Sequence, residues 1–460
     1  METLSQILAL AIFIIMFVAI TTGKVPRYVP ALIGGALTIL VVFLIVLRDP
    51  QAVVDVLNFG EMGTLRFWYT GHGGEEVSRG VNWQTIVFIA GMMIMVEGLG
   101  EVGFFRWLCL FVARLVKYRI VPILIAFMLL AGFLSMFIDS ITVMLFLATV
   151  TIELARMLKF NPVPLIIAEI FASNVGGSAT MSGDPPNIII GTALGYSFFD
   201  FVVNTGLIAW ISMIVVLVFF YFAFRKQLVK SQEPQAAGAT AHYPHPREAI
   251  INRTHFFMNT GIFLLVVVLL VTHAQTGISV ASIGVIAALL TVLAAVINPA
   301  HGVWHIVRRL DWQTLLFFFG LFVCVGGLEV TGVLRMLAEF IGETAGGNIV
   351  IVVTIILWVS AFASALVDNI PFAATMVPVI VNLSGQMGAS TLPTQAWALA
   401  LGTDIGGNGT PIGASANVVG TAIAEKAGYP ISWGKFCKYA LPAMVLVVGV
   451  CWVYLIVRYT

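Results

Sequence analysis

Residues 169–194 read EIFASNVGGSATMSGDPPNIIIGTAL, and residues 401–425 read LGTDIGGNGTPIGASANVVGTAIAE. In each stretch a glycine pair and at least one proline interrupt an apolar run long enough to cross a bilayer. Glycine and proline at mid-span break the helical hydrogen-bond ladder, which frees backbone groups and leaves two half-helix ends inside the membrane. The sequence therefore predicts two broken membrane helices, over 163–194 and 393–425.

The chain is duplicated, and the two broken stretches are copies of each other. Trp83-Gln84-Thr85 recurs as Trp312-Gln313-Thr314, and Gly176-Gly177 recurs as Gly406-Gly407 at nearly the same spacing along the chain. A single glycine pair is explained by small residues that let helices pack closely in lipid. Matched breaks in both copies favour a binding site instead.

We read the chain as two repeats, residues 1–225 and 255–460, joined by a polar linker at 226–254. The linker sequence is the segment best suited to be a flexible loop, because it is polar and rich in Pro, Ala and charged residues. Each repeat carries the same order of apolar segments, so the two should fold alike.

Two further apolar stretches, 121–157 and 349–383, each carry an acid near the middle, Asp139 and Asp368. A continuous helix of about 37 residues would measure about 55 Å, which is too long for one crossing. We predict two re-entrant hairpins, each entering and leaving on one side of the membrane, with these acids near the tips. Non-helical backbone at that depth is tolerated where protein or water covers it.

Composition places the chain in a lipid bilayer. Of 460 residues, 60% are apolar and 10% charged, and the mean hydropathy is +1.03, which excludes an ordinary soluble enzyme. A net charge of +1 gives no indication of a nucleic-acid partner. We predict full spans at 5–22, 29–47, 83–101, 163–194, 203–224, 256–272, 278–296, 312–330, 393–425 and 438–458.

The predicted fold is an all-α polytopic membrane protein with about ten transmembrane spans, two re-entrant hairpins and two inverted-topology repeats with broken helices at the midplane. Lys and Arg concentrate in cytoplasmic loops, and most of the 23 here fall on one side if the linker 226–254 is cytoplasmic. Five crossings per repeat then invert the second repeat and place both termini outside. We expect a multi-pass protein of the inner (plasma) membrane.

Four acids lie at the hairpin tips and beside the breaks: Asp139, Asp368, Asp184 and Asp404. Placing an acid at mid-membrane costs about 3 kcal/mol on insertion scales, so each needs a reason. One hypothesis is protonation or cation coordination coupled to transport. The alternative is that each acid caps the N-terminus of the adjacent helix.

Uncharged oxygens and amides accompany these acids. Positive half-helix N-termini suit an anion or a polarised oxygen, while freed carbonyls suit Na⁺ or a proton-carrying water. The candidate ion- and solute-binding residues are Asp139, Ser140, Thr142, Asn174, Gly176, Gly177, Ser178, Thr180, Asp184, Asn187, Asp368, Asn369, Asp404, Gly406, Gly407, Asn408, Thr410, Ser415 and Asn417. His242, His245 and His255 lack Cys or carboxylate partners at ligand spacing, so we predict no metal site and no cofactor.

At SNVGGSATMSGDPPNIIIG (173–191) and GGNGTPIGASANVVGTAIAEKAGY (406–429) the sequence resembles the ion transporter superfamily. Within it, the chain is similar to the branch that holds arsenite-efflux permeases, the pigmentation P-protein and certain sodium–proton antiporters. The resemblance implies a homodimer with a fixed scaffold domain. It also implies a mobile transport domain, built from both hairpins and both broken helices, that moves as an elevator.

The tips depart from one part of that superfamily. Its sodium-coupled dicarboxylate members carry Ser-Asn-Thr at both tips, whereas the matching positions here read Asp139-Ser140-Ile141 and Asp368-Asn369-Ile370. A carboxylate facing a dianionic solute repels it strongly at low dielectric. Dicarboxylate uptake is therefore disfavoured, and a neutral hydroxide such as arsenous acid, a proton or Na⁺ fits better.

The leading functional hypothesis is an ion-coupled secondary transporter that exports arsenite or antimonite against inward H⁺, with protons carried by Asp139 and Asp368. The alternatives are a Na⁺/H⁺ antiporter or an anion transporter of the same superfamily, and an ion channel of the same architecture. An enzyme has little support, because neither HExxH nor GxSxG occurs. The expected partners are a small inorganic substrate, the lipid bilayer, a second copy of the chain and a cytoplasmic ATPase subunit.

Overall fold

The computed structural model describes residues 2–22, 24–70, 80–230, 244–297, 308 and 310–460. These residues form an all-helical structure, in which an isolated antiparallel bridge joins Tyr69 to Ile278. Part of the stretch between the predicted spans 29–47 and 83–101, most of the linker and His242 lie outside the described residues.

The first repeat contains ten helices that we label. They are α1 (Glu2–Thr21), α2 (Tyr28–Leu47), α3 (Pro50–Leu57), α4 (Trp83–Glu101), α5 (Phe104–Leu115), α6 (Ile120–Ser135), α7 (Ser140–Leu158), α8 (Val163–Gly177), α9 (Pro185–Leu194) and α10 (Leu207–Lys230). The second half of α2, Thr38–Leu47, is a π-helix.

The second repeat contains nine labelled helices. They are α11 (Arg253–Thr276), α12 (Val280–Val296), α13 (Trp312–Val330), α14 (Val333–Ala345), α15 (Ile349–Leu366), α16 (Asn369–Met387), α17 (Leu392–Gly406), α18 (Ser415–Lys426) and α19 (Trp433–Tyr459). Each predicted broken span is thus a pair of helices, α8 with α9 and α17 with α18. Each predicted hairpin is the pair α6 with α7 or α15 with α16.

Ten described helices are long and apolar enough to cross a membrane, which confirms the predicted number. The set differs from the predicted one. The hairpin arms α7, α15 and α16 reach span length, whereas the half-helices and α12 are shorter. Length alone therefore cannot separate a crossing helix from a hairpin arm, because both approach the roughly 30 Å of the hydrocarbon core.

Helices of one repeat pack against helices of the other repeat. The second span of the first repeat, α2, lies along α13 of the second repeat, with Ala31 against Gly320 and Thr38 against Gly327. Because the residue numbers of the contacting positions increase along both helices, the two helices run in the same direction. A Cβ at Gly320 would overlap the Ala31 backbone, so glycine is what permits this close approach.

The matching pair, α4 with α12, packs in the same way. Gly91 faces Gly284 and Gly98 faces Thr291, again in parallel. We call α1, α2, α4, α11, α12 and α13 the flanking bundle. The hairpins and broken helices, α6–α9 and α15–α18, form a second group that we call the site bundle, and α10 and α19 pack on its side.

An amphipathic helix leads into each hairpin. The arm α5 packs against α6 and α7, and its equivalent α14 packs against α15 and α16. The described ends of the linker are more ordered than its composition suggests. The helix α10 extends to Lys230, and a 3-10 turn at Pro246–Ala249 packs on α5, where the Tyr118 hydroxyl donates to the Pro244 carbonyl at 2.9 Å.

Candidate ion and solute site

Both tip acids cap helices. Asp139 precedes α7 and accepts hydrogen bonds from the Ile141 backbone N–H at 2.8 Å and the Thr142 hydroxyl at 2.8 Å. Asp368 precedes α16 and accepts from the Ile370 backbone N–H at 3.2 Å. Capping, the alternative stated for these acids, is thus what their contacts display. It occupies oxygens that proton carriage through the tips would use.

An asparagine closes each broken helix. The Asn187 side-chain amide donates to the carbonyls of Gly177 at 3.2 Å and Thr180 at 3.1 Å. In the second repeat Asn417 donates to Gly407 at 2.8 Å and Thr410 at 2.7 Å. These carbonyls have lost their helical partners at the break, and one buried amide satisfies two of them.

Asn417→Ala is expected to lower stability by about 2–3 kcal/mol, because it leaves two buried carbonyls without donors at about 1–1.5 kcal/mol each. Thermal unfolding of the detergent-solubilised protein would measure the loss. Asn382→Ala is the control, since its partly buried amide donates to one carbonyl, that of Pro378. Equal losses in the two variants would contradict the role given to Asn417.

The other polar side chains of the breaks hold the site bundle together. The Thr180 hydroxyl donates to the Met136 carbonyl at the first tip, and the Thr410 hydroxyl donates to the Ala365 carbonyl at the second. Ser178 donates to the Val175 carbonyl at 2.8 Å, within its own helix. Predicted as solute ligands, these hydroxyls are buried and engaged with backbone.

The two repeats meet at Asn174 of α8. Its side-chain amide donates across the pseudo-symmetry to Asn408 Oδ1 at 3.0 Å and to Asn417 Oδ1 at 2.9 Å. All three side chains are fully buried. The C-terminal ends of α8 and α17 therefore converge on one polar centre, and both present the negative end of a helix dipole.

Two carboxyl groups complete this centre. Asp184 accepts from the Ser140 hydroxyl at 2.7 Å and from the Asn369 amide at 2.7 Å, so it links both hairpin tips. The carboxyl group of Asp404 adjoins that of Asp184, and both residues are buried. Two carboxylates in contact away from water repel each other strongly unless a proton or a cation lies between them.

Several oxygens at this centre are buried without a hydrogen-bond donor. They are both carboxyl oxygens of Asp404 and the Oδ1 atoms of Asn174 and Asn187. The amide orientation of each Asn is set by the carbonyl or amide oxygens to which its nitrogen donates. An oxygen-lined centre of this kind suits a proton or a hard monovalent cation.

The acids come from non-equivalent places in the two repeats. At the register that aligns Asn187 with Asn417, Asp184 aligns with Ala414 and Asp404 aligns with Asn174. Each repeat thus supplies one acid to the pair. The symmetric backbone carries an asymmetric charge, and the sequence comparison of the repeats alone does not reveal that these two acids lie together.

Arg27 belongs to the site, although nothing in its sequence context distinguishes it from the other cations of a cytoplasmic loop. It lies at the start of α2, where one guanidinium nitrogen donates to Asp368 Oδ2 at 2.9 Å and to the Ser415 hydroxyl at 2.7 Å. The other donates to the Thr314 hydroxyl at 3.0 Å, and the group lies 5.0 Å from the centre of the Phe317 ring. No local pattern signals these contacts, because each joins distant parts of the chain.

A cavity of about 380 Å³ adjoins Arg27, and Asp311, Asp368 and Ser415 also line it. It opens on the linker side of the molecule. The α4 helix ends next to the linker, where the Ile251 N–H donates to the Val102 carbonyl, and begins beside the end of α3, where the Trp83 indole N–H donates to the Leu57 carbonyl. The eight residues of α3 are too few to cross a membrane, so α4 begins on the side where α2 ends. Since α2 and α4 run in opposite directions, the start of α2 and the cavity lie on the linker side.

The chain is similar in sequence to a family of transporters and to other membrane proteins. A family model described as citrate transporter, CitMHS, matches residues 12–402. The chain is 31% identical over 460 residues to the 46 kDa membrane protein of Mycobacterium leprae, covering 99% of both chains. It is 30% identical to the human P protein, over 81% of this chain and 53% of that protein. The resemblance to the P-protein branch is thereby confirmed.

A solved structure shares the fold. The crystal structure of the YdaH transporter of Alcanivorax borkumensis, described as having an unusual topology, matches with a TM-score of 0.58. The match covers 89% of this chain and 87% of that one at 13% sequence identity. At that identity the likeness concerns the fold alone.

Proposed function

Because the chain belongs to the CitMHS family of membrane transporters, we propose that it is a proton-coupled secondary active transporter whose coupling proton is shared by Asp184 and Asp404. One observation carries this proposal. The two broken helices, one from each repeat, bring their acids close together at a buried centre, where the Asp404 carboxyl oxygens accept no hydrogen bond from the part of the chain that the structure describes. A proton between the two carboxyl groups neutralises one charge and supplies the missing hydrogen bond.

This assignment moves the proton from the tips to the breaks. The carboxyl oxygens of the tip acids Asp139 and Asp368 are already engaged by backbone N–H groups, the Thr142 hydroxyl and Arg27. Asp184 is held by two donors, one from each tip, so protonation of the pair alters how the broken helices pack on the hairpin tips. The proton state of the pair and the position of the hairpins are therefore coupled.

We propose an elevator motion of the site bundle against the flanking bundle. The parallel pairs α2–α13 and α4–α12 are closely packed through glycines, which suits a fixed scaffold. The hairpins pack mainly on the broken helices and on the arms α5 and α14. Arg27 donates from the flanking bundle to Asp368 and Ser415 of the site bundle, so those two contacts would break and re-form in each cycle.

The proposed solutes are arsenite and antimonite, moved outward in exchange for protons. The wall of the linker-side cavity carries one cation, Arg27, and two acids, Asp311 and Asp368. A polyanion such as citrate, from which the family takes its description, meets net negative charge in this cavity, whereas an uncharged hydroxide does not. The charge balance therefore favours a neutral, hydroxyl-bearing solute.

Na⁺/H⁺ exchange is the second candidate function. The four buried oxygens of Asp404, Asn174 and Asn187 that lack donors would ligate a Na⁺ ion, which prefers hard oxygen ligands. In that case Na⁺ and the proton compete for the Asp184–Asp404 pair, and no separate solute is required.

Purified protein in sealed proteoliposomes distinguishes the two functions. With an imposed pH gradient, we expect arsenite to accumulate against its concentration gradient and the pH gradient to dissipate in step with it. Vesicles without protein control for passive leakage. Na⁺ movement coupled to the pH gradient with no arsenite flux would favour the antiporter. Accumulation of citrate with no arsenite flux would overturn the proposed solute class, and single-channel currents would overturn the carrier mechanism.

A further inference from the structure

We infer that the linker-side cavity between Arg27, Asp368 and Ser415 is the solute-binding site, and that it takes a small uncharged hydroxide. The inference rests on the proposed function and locates its solute. The sequence predicts the solute among the amides and hydroxyls of both breaks. Of those residues, the structure places Ser415 on the wall of this cavity, while the breaks direct their other polar groups inward.

The cavity has the size and chemistry for such a solute. Its volume of about 380 Å³ falls in the range of small-molecule pockets, roughly 300–1,000 Å³. Arg27 supplies N–H donors, Asp368 supplies a carboxylate acceptor, and the Ser415 hydroxyl serves as either. A molecule with several O–H groups can donate to the acid and accept from the guanidinium at the same time.

Two residues of α13 fix the position of the Arg27 guanidinium group. Its second nitrogen donates to Thr314, and Phe317 supports the face of the group, both from α13. Asp368 keeps its backbone contact to Ile370 through the other carboxyl oxygen. A solute can therefore replace the contact between Arg27 and Asp368 while each side chain remains anchored by its own neighbours.

The equivalent place at the other hairpin tip, next to Asp139, lacks this site. At the register that matches the Ala31–Gly320 contact with the Gly284–Gly91 contact, the residue equivalent to Arg27 is Val280, which is buried and uncharged. The cavity at the first tip measures about 40 Å³, and its wall includes Met92, Met93 and Phe318. Of the two tips, the second has both the larger cavity and a cation on the cavity wall. The duplicated backbone therefore provides one solute site.

The solute site lies at the boundary between the flanking bundle and the site bundle, so solute binding affects the movement of one bundle against the other. Arg27 belongs to the flanking bundle, whereas Asp368 and Ser415 belong to the hairpin and broken helix of the site bundle. A solute bound among the three bridges the same boundary that the two direct contacts bridge now. Occupancy would loosen the direct contacts and release the site bundle with the solute in place.

Equilibrium binding tests the inference without any ion gradient. Purified protein is dialysed against sodium arsenite, and bound arsenic is measured by mass spectrometry. All variants carry C437S, because thiols bind arsenite and Cys437 is the partly exposed cysteine among the described residues. We expect saturable binding that Arg27→Gln weakens at least about tenfold. Arg335→Gln, which removes an exposed ion pair with Glu339, is the matched control and should bind normally.

A second variant guards against misfolding of the first. Val418 is exposed on the cavity wall, so Val418→Trp should fill the cavity, keep the fold and weaken binding to a similar extent. Undiminished arsenite binding in both variants, no binding by the parent protein, or citrate binding in place of arsenite would each overturn the inference. Asp404→Asn should still bind arsenite, so a failure of proton coupling and a failure of this site give different results.

Discussion

Asp404→Asn is expected to abolish accumulation of solute under a pH gradient, by at least about a hundredfold, while solute–solute exchange continues. The amide keeps the shape of the carboxyl group but cannot take up and release the proton that it would share with Asp184. Exchange at equal pH on both sides requires no net proton movement and uses the cavity at Arg27, which the substitution leaves in place. Both rates are measured in the same proteoliposomes.

The control is Asp55→Asn, an exposed acid on α3 whose side chain accepts from Gln51. It should leave both rates unchanged. Loss of both rates in Asp404→Asn, with the protein folded, would mean that Asp404 holds the solute rather than the proton. Retention of pH-driven accumulation would show that the coupling ion binds elsewhere.

Gly176→Val and Gly406→Val are expected to prevent folding, with losses above about 4 kcal/mol. A side chain at Gly176 would overlap the Gly132 carbonyl of hairpin helix α6, and one at Gly406 would overlap the Ala361 backbone of α15. Neither neighbour is a flexible side-chain end, so the broken helix would have to separate from its hairpin. The yield of monodisperse protein after detergent extraction measures the effect.

Gly261→Val and Gly449→Val are the matched controls, because a Cβ at either position meets no atom within 4 Å. Both should give normal yields. The second glycine of each pair is less confined, since a Cβ at Gly177 would lie 2.9 Å from the Gly183 carbonyl oxygen. Gly177→Ala should therefore yield more folded protein than Gly176→Ala. The reverse order would contradict the packing described for the breaks.

Much of the architecture follows from local signals. The glycine pairs and prolines at the breaks, and the acids that precede α7 and α16, are short-range features that stop or start a helix wherever the chain lies. The duplication then doubles each signal, which made the hairpins and broken helices predictable. The number of spans follows from hydropathy for the same reason, because whether a segment can cross the bilayer depends on its own length and apolar composition.

The site itself was only partly predictable, because its contacts join distant segments. Asn187 and Asn417 were identified from their matched spacing, yet their role in closing the breaks depends on backbone carbonyls that a sequence does not display. The Asp184–Asp404 contact joins non-equivalent positions of the repeats, so comparing the repeats could not pair them. Arg27 resembles any loop cation, and its neighbours lie on α13, α16 and α18.

The most direct test of the central claim is a double-mutant cycle on pH-driven transport with Asp184→Asn, Asp404→Asn and the double variant. If the two acids share one proton, each single variant removes the coupling, and the double variant is no slower than either. That result is the one we predict. Losses that multiply in the double variant, or a single variant that still couples transport to the pH gradient, would show that the two broken helices do not form one ion site.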